Sequence, residues 1–129
     1  MTTERVEAAQ PAAARARYLL IFRGGAVSRD DVSPGMLQAH LEKWYAWADD
    51  LARQGRRNAG TPLANGGKAV RGRERIVTDG PYAESKDLVT GAMIIDAVSF
   101  DDAVDVARGC PTYEFDGSVE VRPVQDEGS

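Results

Sequence analysis

The sequence predicts an α+β fold in which two helices cover one face of an antiparallel sheet. Three observations predict it. Short apolar runs end at glycines, two segments of helical spacing follow serine caps, and the order reads strand, helix, strand or hairpin, strand, helix, strand.

The first run, Tyr18-Leu-Leu-Ile-Phe22, lies between Arg17 and Arg23 and ends at Gly24-Gly25. Its length and bulky side chains predict a strand, and the lack of alternating polar residues predicts that both faces are covered. Ser33-Pro34 then opens a helix over residues 34–54, with the serine as N-cap and the proline at the first helical position. Leu37, Leu41, Trp44, Ala48 and Leu51 recur at helical spacing and mark its apolar stripe, and Gly55 stops it.

Residues 59–63 and 68–78 flank the turn Asn65-Gly66-Gly67 and predict short strands or an irregular hairpin. Asp79-Gly-Pro-Tyr82 is a turn signal leading into a polar loop, 83–90, with room for one helical turn. Residues 91–98 return to strand character. Ser99, followed by Phe100-Asp-Asp, caps a second helix with acids where the dipole favours them. Phe100, Ala103, Val104 and Ala107 give its expected buried side, and Gly109 closes it. Residues 117–124 alternate as a last strand.

This order is the ferredoxin-like arrangement. The helices cover one face only, yet the strands around 18–22 and 93–95 carry apolar side chains on both. The open face therefore predicts a homodimer through that face, for which about 600–1,000 Å² per subunit at roughly 25 cal/mol per Å² would suffice. A fold-back of loop 83–90 over that face is the alternative.

The chain has 129 residues, 43% hydrophobic and 28% charged, which suits one domain with a real core. Residues 1–16 read as a mobile tail, 17–124 as the domain and 125–129 as a short tail. No run is long enough to span a membrane. The net charge of -4 argues against general nucleic-acid binding. The single cysteine, Cys110, excludes an internal disulfide and fits a cytoplasmic location.

His40 is the one histidine, the side-chain type that titrates near neutrality, and hence the candidate general base. At 100° per residue it falls about 60° off the centre of the apolar stripe, at the edge of the buried face. A histidine bonded to a backbone carbonyl would look the same in sequence. Asp79 opens its turn, where a self-bonded aspartate is the plain explanation and a pocket carboxylate the functional one. Tyr82 and Glu84 would line the same pocket. Trp44, Tyr45 and Trp47 read as core and core rim, with Trp44 and Trp47 as pocket walls. Cys110 follows a helix C-terminus, which disfavours a thiolate, and reads as structural. Arg71, Arg73 and Arg75 alternate along an expected strand, either as an anion-binding stripe or, more simply, as a solvated edge. Phosphate-loop, dinucleotide and zinc signatures are absent, so no metal and no cofactor is expected.

Four blocks carry a resemblance: Tyr18-Leu-Leu-Ile-Phe-Arg-Gly-Gly25; Met36-Leu-Gln-Ala-His-Leu-Glu-Lys-Trp-Tyr-Ala-Trp47; Val77-Thr-Asp-Gly-Pro-Tyr-Ala-Glu84; and Gly109-Cys-Pro111 with Gly117-Ser-Val-Glu-Val-Arg-Pro123. In this order they resemble the YCII-related proteins of the DGPF type, with Tyr82 in place of the usual phenylalanine. The resemblance implies a ferredoxin-like domain in a dimeric α/β barrel. It also implies relatives of unassigned activity, some encoded beside extracytoplasmic-function sigma factors. Shorter relatives resemble small enzymes with a histidine–aspartate pair, one branch being similar to dehydrochlorinases of hydroxylated aromatic rings. His40-Leu41 matches their histidine–leucine, while their Asp-Pro falls where this chain has Cys110-Pro111. The missing carboxylate would then come from Asp79 or Glu84.

Two functions follow as expectations. One is a cofactor-free lyase or isomerase using His40, oriented by Asp79, on a small hydroxylated or cyclic substrate. The other is a non-catalytic ligand-binding or regulatory module, associated with a sigma factor. An auxiliary role in a natural-product or catabolic pathway, as a cyclase or monooxygenase, is a third.

Overall fold

The computed structural model describes residues 15–27, 30, 32–64, 66–80 and 87–125. Among the described residues, six strands, two helices and a 3-10 turn follow one another as β1 (Ala16–Arg23), α1 (Pro34–Arg53), β2 (Arg57–Pro62), β3 (Lys68–Arg71), β4 (Ile76–Asp79), β5 (Val89–Ala97), α2 (Phe100–Arg108), the turn Pro111–Phe115 and β6 (Ser118–Pro123). Four strands form an antiparallel sheet in the order β2-β5-β1-β6, and β3 and β4 pair separately as a hairpin. This is the ferredoxin-like α+β fold, with the hairpin placed between its second and third sheet strands. No helix among the described residues is long and apolar enough to cross a membrane.

Both helices start as their caps dictate. The Ser33 Oγ accepts the Met36 N–H at 3.2 Å, and the Ser99 Oγ accepts the Asp102 N–H at 3.0 Å. Past α1, Gly55 takes a positive φ of 71°. Strand pleating sorts the central pair: Tyr18, Leu20 and Phe22 of β1 and Met93, Ile95 and Ala97 of β5 are buried. Leu51 from α1 and Ala103, Val106 and Ala107 from α2 complete the core, with Trp44, Trp47, Ala48, Val119 and Val121 packed against it.

The register pairs Leu19 with Ile94 and Ile21 with Ala92 on the opposite face, where all four are half-buried. Beside this strip the Arg23 guanidinium donates to Glu120 at 3.1 Å, and Arg122 donates to the other oxygen of that carboxylate at 3.3 Å. Where β2 begins, Arg56 donates to Asp102 of α2 at 2.6 Å, and the Val98 N–H donates to the same carboxylate. Burial pushes the Asp102 carboxyl up, but the Val98 amide and the Arg56 charge outweigh it and hold it below the usual range.

Four local expectations are corrected. The buried stripe of α1 runs through His40, Trp44, Trp47, Ala48 and Leu51, while Leu41 is 37% exposed. Tyr45 points outward at 68% exposure and is no part of the core. Segment 68–78 is itself the β3–β4 hairpin. Arg73 and Arg75 lie in its turn, Arg75 at φ 56°, so no arginine stripe runs along one strand. On α2 the buried positions are Ala103, Val106 and Ala107. Phe100 is half-exposed at the helix start, its ring 5.7 Å from that of Tyr18.

Candidate functional site

The site forms where α1 meets the turn between α2 and β6. Pro111 starts that turn, and Asp116 ends it in the left-handed region at φ 59°. Two hydrogen bonds and one buried side chain hold it in place. The Gly117 N–H donates to the Thr112 carbonyl at 3.0 Å, the Tyr113 hydroxyl donates to the Ala107 carbonyl at 2.8 Å, and the Thr112 side chain is fully buried. The Thr112 Oγ1 lies against two glycines. A Cβ on Gly25, whose φ is 70°, would fall 2.3 Å from that oxygen, and one on Gly117 only 2.0 Å from it. Glycine at both positions lets the turn press onto the β1 exit and brings Glu114 and Phe115 to α1.

His40 is 4% exposed, and both its nitrogens are engaged. Its Nδ1 lies 2.8 Å from the Glu114 Oε1, and its Nε2 lies 3.0 Å from the Trp44 Nε1, one helical turn on. An indole N–H can only donate. Nε2 is therefore the acceptor, and the network assigns the proton to Nδ1, which donates it to Glu114. Lys43 donates to the second oxygen of Glu114. The Phe115 ring meets the imidazole edge to face at 4.6 Å, and Trp44 packs the same way on Phe22 and Trp47, at 5.2 and 5.7 Å. The Lys43 ammonium and the His40 N–H hold the Glu114 carboxyl below its ordinary range. The result is a buried imidazole of fixed tautomer, backed by a carboxylate that stays charged.

The carboxylate bonded to His40 is thus Glu114. Asp79 ends β4 at the hairpin base, where its 78% exposed side chain accepts from Lys68 at 2.7 Å and makes no hydrogen bond with His40. Tyr82 and Glu84 lie outside the described residues. Trp44 donates to His40, and Trp47 reaches the pair only through its ring contact with Trp44. Cys110 is buried, and that burial pushes its thiol up to about 12, against a small opposing effect of the Thr112 amide, so the sulfur is inert. An open groove of about 460 Å³ runs between α1 and β2, lined by Tyr45, Ala48, Asp49, Ala52 and Arg57 but not by His40. Among the described residues no three His, Cys, Asp or Glu side chains cluster as a metal site would require.

Glu114 and Lys43 escaped sequence reasoning. The available signal was positional: Glu114 is the one acid between Pro111 and Phe115.

The model of the YCII-related domain matches residues 23–127. The chain belongs to the YCII-related family. A relative, an uncharacterised protein of Rhizobium meliloti strain 1021, is 46% identical over 52 residues, which are 40% of this chain and 42% of that protein. The matched segment therefore spans less than half of that relative's length. Among solved structures, the chain is similar to a 5-chloro-2-hydroxyhydroquinone dehydrochlorinase from Burkholderia phenoliruptrix AC1100, in complex with 2,5-dihydroxybenzoquinone. The identity is 17% and the TM-score 0.47, covering 84% of this chain and 93% of that one.

Proposed function

We propose that this YCII-related protein is a small cofactor-free lyase or isomerase in which His40 is the general base and Glu114 its orienting carboxylate. One observation carries the proposal: the 2.8 Å contact between the His40 Nδ1 and Glu114. A carboxylate on one imidazole nitrogen fixes the tautomer and leaves the lone pair on the other, so proton transfer would run through Nε2. The substrate class is a small hydroxylated or cyclic compound, with Trp44, Trp47 and Phe115 as apolar walls. The carboxylate role, expected of Asp79 or Glu84, passes to Glu114. The domain is assigned to the DGPF type, acts in the cytoplasm and pairs with a second copy through the open sheet face.

The test is turnover of a panel of small hydroxylated aromatics and lactones by wild type and by His40→Ala. A positioned general base contributes about 10²–10⁴-fold, so the variant should lose that much rate while keeping its fold. Undiminished turnover in His40→Ala would remove the assignment.

A second function is favoured by one feature, the burial of His40 with its Nε2 already bonded to Trp44. In that case the His40–Glu114 contact pins α1 to the turn of a non-catalytic ligand-binding or regulatory module, and the panel is bound without being converted.

A further inference from the structure

We propose that the Trp44 indole N–H holds the place of a hydroxyl on the substrate, so that only a ligand able to donate a hydrogen bond can displace it and reach His40. This rests on the assignment of His40 and Glu114 as the working pair. The Nδ1 proton is committed to Glu114, so Nε2 carries the one lone pair on the ring, and that lone pair faces the Trp44 N–H at 3.0 Å. An indole N–H gives up its proton to no ordinary base, so Trp44 satisfies the buried acceptor without reacting with it. Any group that replaces it must also donate, because a ketone or ether oxygen would set lone pair against lone pair. A phenolic or enolic O–H meets that demand and, unlike the indole, can surrender its proton.

The local packing suits such an exchange. Trp44 is half-buried and meets Phe22, Trp47 and His40 edge to face, without being wedged between parallel rings. It sits one turn beyond His40 on the same helix, so side-chain rotation alone can break the contact, with no shift of α1. The Phe115 ring, edge-on to the imidazole at 4.6 Å, then offers an apolar wall to a planar ligand. The substrate class narrows to small planar compounds with a free hydroxyl.

The experiment titrates full-length, 15N-labelled protein with hydroquinone and with 1,4-dimethoxybenzene, which has the same ring but no donor. The Trp44 indole N–H and the His40 Nε2 resonances are followed together. Hydroquinone should shift both at matched concentrations, and the dimethyl ether neither. Trp44→Phe, which removes the competing donor, should bind hydroquinone about three- to tenfold more tightly, the range set by one net hydrogen bond.

Hydroquinone that fails to bind, or that binds without moving the Trp44 N–H, overturns the proposal, as does equal binding of the ether. The wild-type titration decides this even if Trp44→Phe misfolds. The two assignments fail separately. Loss of turnover in His40→Ala with an unmoved Trp44 removes the displacement and keeps the base. Displacement of Trp44 with undiminished turnover in His40→Ala does the reverse.

Discussion

An imidazole can be buried in this fold because neighbours one turn along α1 and 74 residues downstream satisfy both its nitrogens. The charge of Glu114 is thereby tied to the folded state. Its carboxyl titrates lower in the native protein than in the unfolded chain, so its stabilising contribution is complete above the ordinary glutamate value, about 4.3, and is lost as pH falls through the lower native value. Urea midpoints measured from pH 6 downward should therefore decline less in Glu114→Gln than in wild type. The same variant should lose turnover by on the order of ten- to a hundredfold, since the amide no longer backs the imidazole with a charge. At this scale the sequence showed His40 and Trp44 plainly. It hid Glu114, because a partner reached across 74 residues leaves no periodic trace. It also misplaced His40 at the edge of its face. Counting only apolar positions drew the stripe through Leu41, whereas a satisfied imidazole is buried as readily as a leucine.

The 3-10 turn is the element on which the site depends, and the turn depends on glycine. In Gly117→Ala the new methyl would lie 2.0 Å from the Thr112 Oγ1 and 2.9 Å from its carbonyl oxygen, so Thr112 must move and Glu114 with it. Overpacking of this kind typically costs about 1–3 kcal/mol, which urea unfolding would read directly. Turnover should fall as well, because the displaced turn carries the carboxylate. A variant of unchanged stability would show that the turn yields freely. The two helices and four sheet strands were legible because serine caps, glycine stops and apolar runs are local signals. The β3–β4 hairpin was legible only as one extended segment. Its turn spans residues 72–75, with positive φ at Gly72 and at Arg75, and a left-handed arginine is not a turn signal that composition supplies.

At the scale of the whole molecule, the sheet face opposite the helices is where we propose that a second copy docks. Leu19, Ile21, Ala92 and Ile94 form an apolar strip there, flanked by Arg23, Glu120 and Arg122. A second copy on this face should make wild type sediment well above its 13.9 kDa, and Ile21→Asp should return it to monomer with its circular dichroism retained. A wild type that sediments as a monomer would remove the dimer. The fold class was legible from the order of strands and helices, whereas half of loop 83–90, the other expected cover of the second sheet face, lies outside the described residues. The hairpin has a different meaning at this scale. Its strands pack chiefly against each other, joined at the base by the Gly80 N–H on the Gly67 carbonyl and by the Lys68–Asp79 pair. The strand pairing of β2 with β5 does not pass through it. The segment is therefore a graft on a finished scaffold, and a change of length or chemistry at its turn, 72–75, should leave the sheet beneath unaltered.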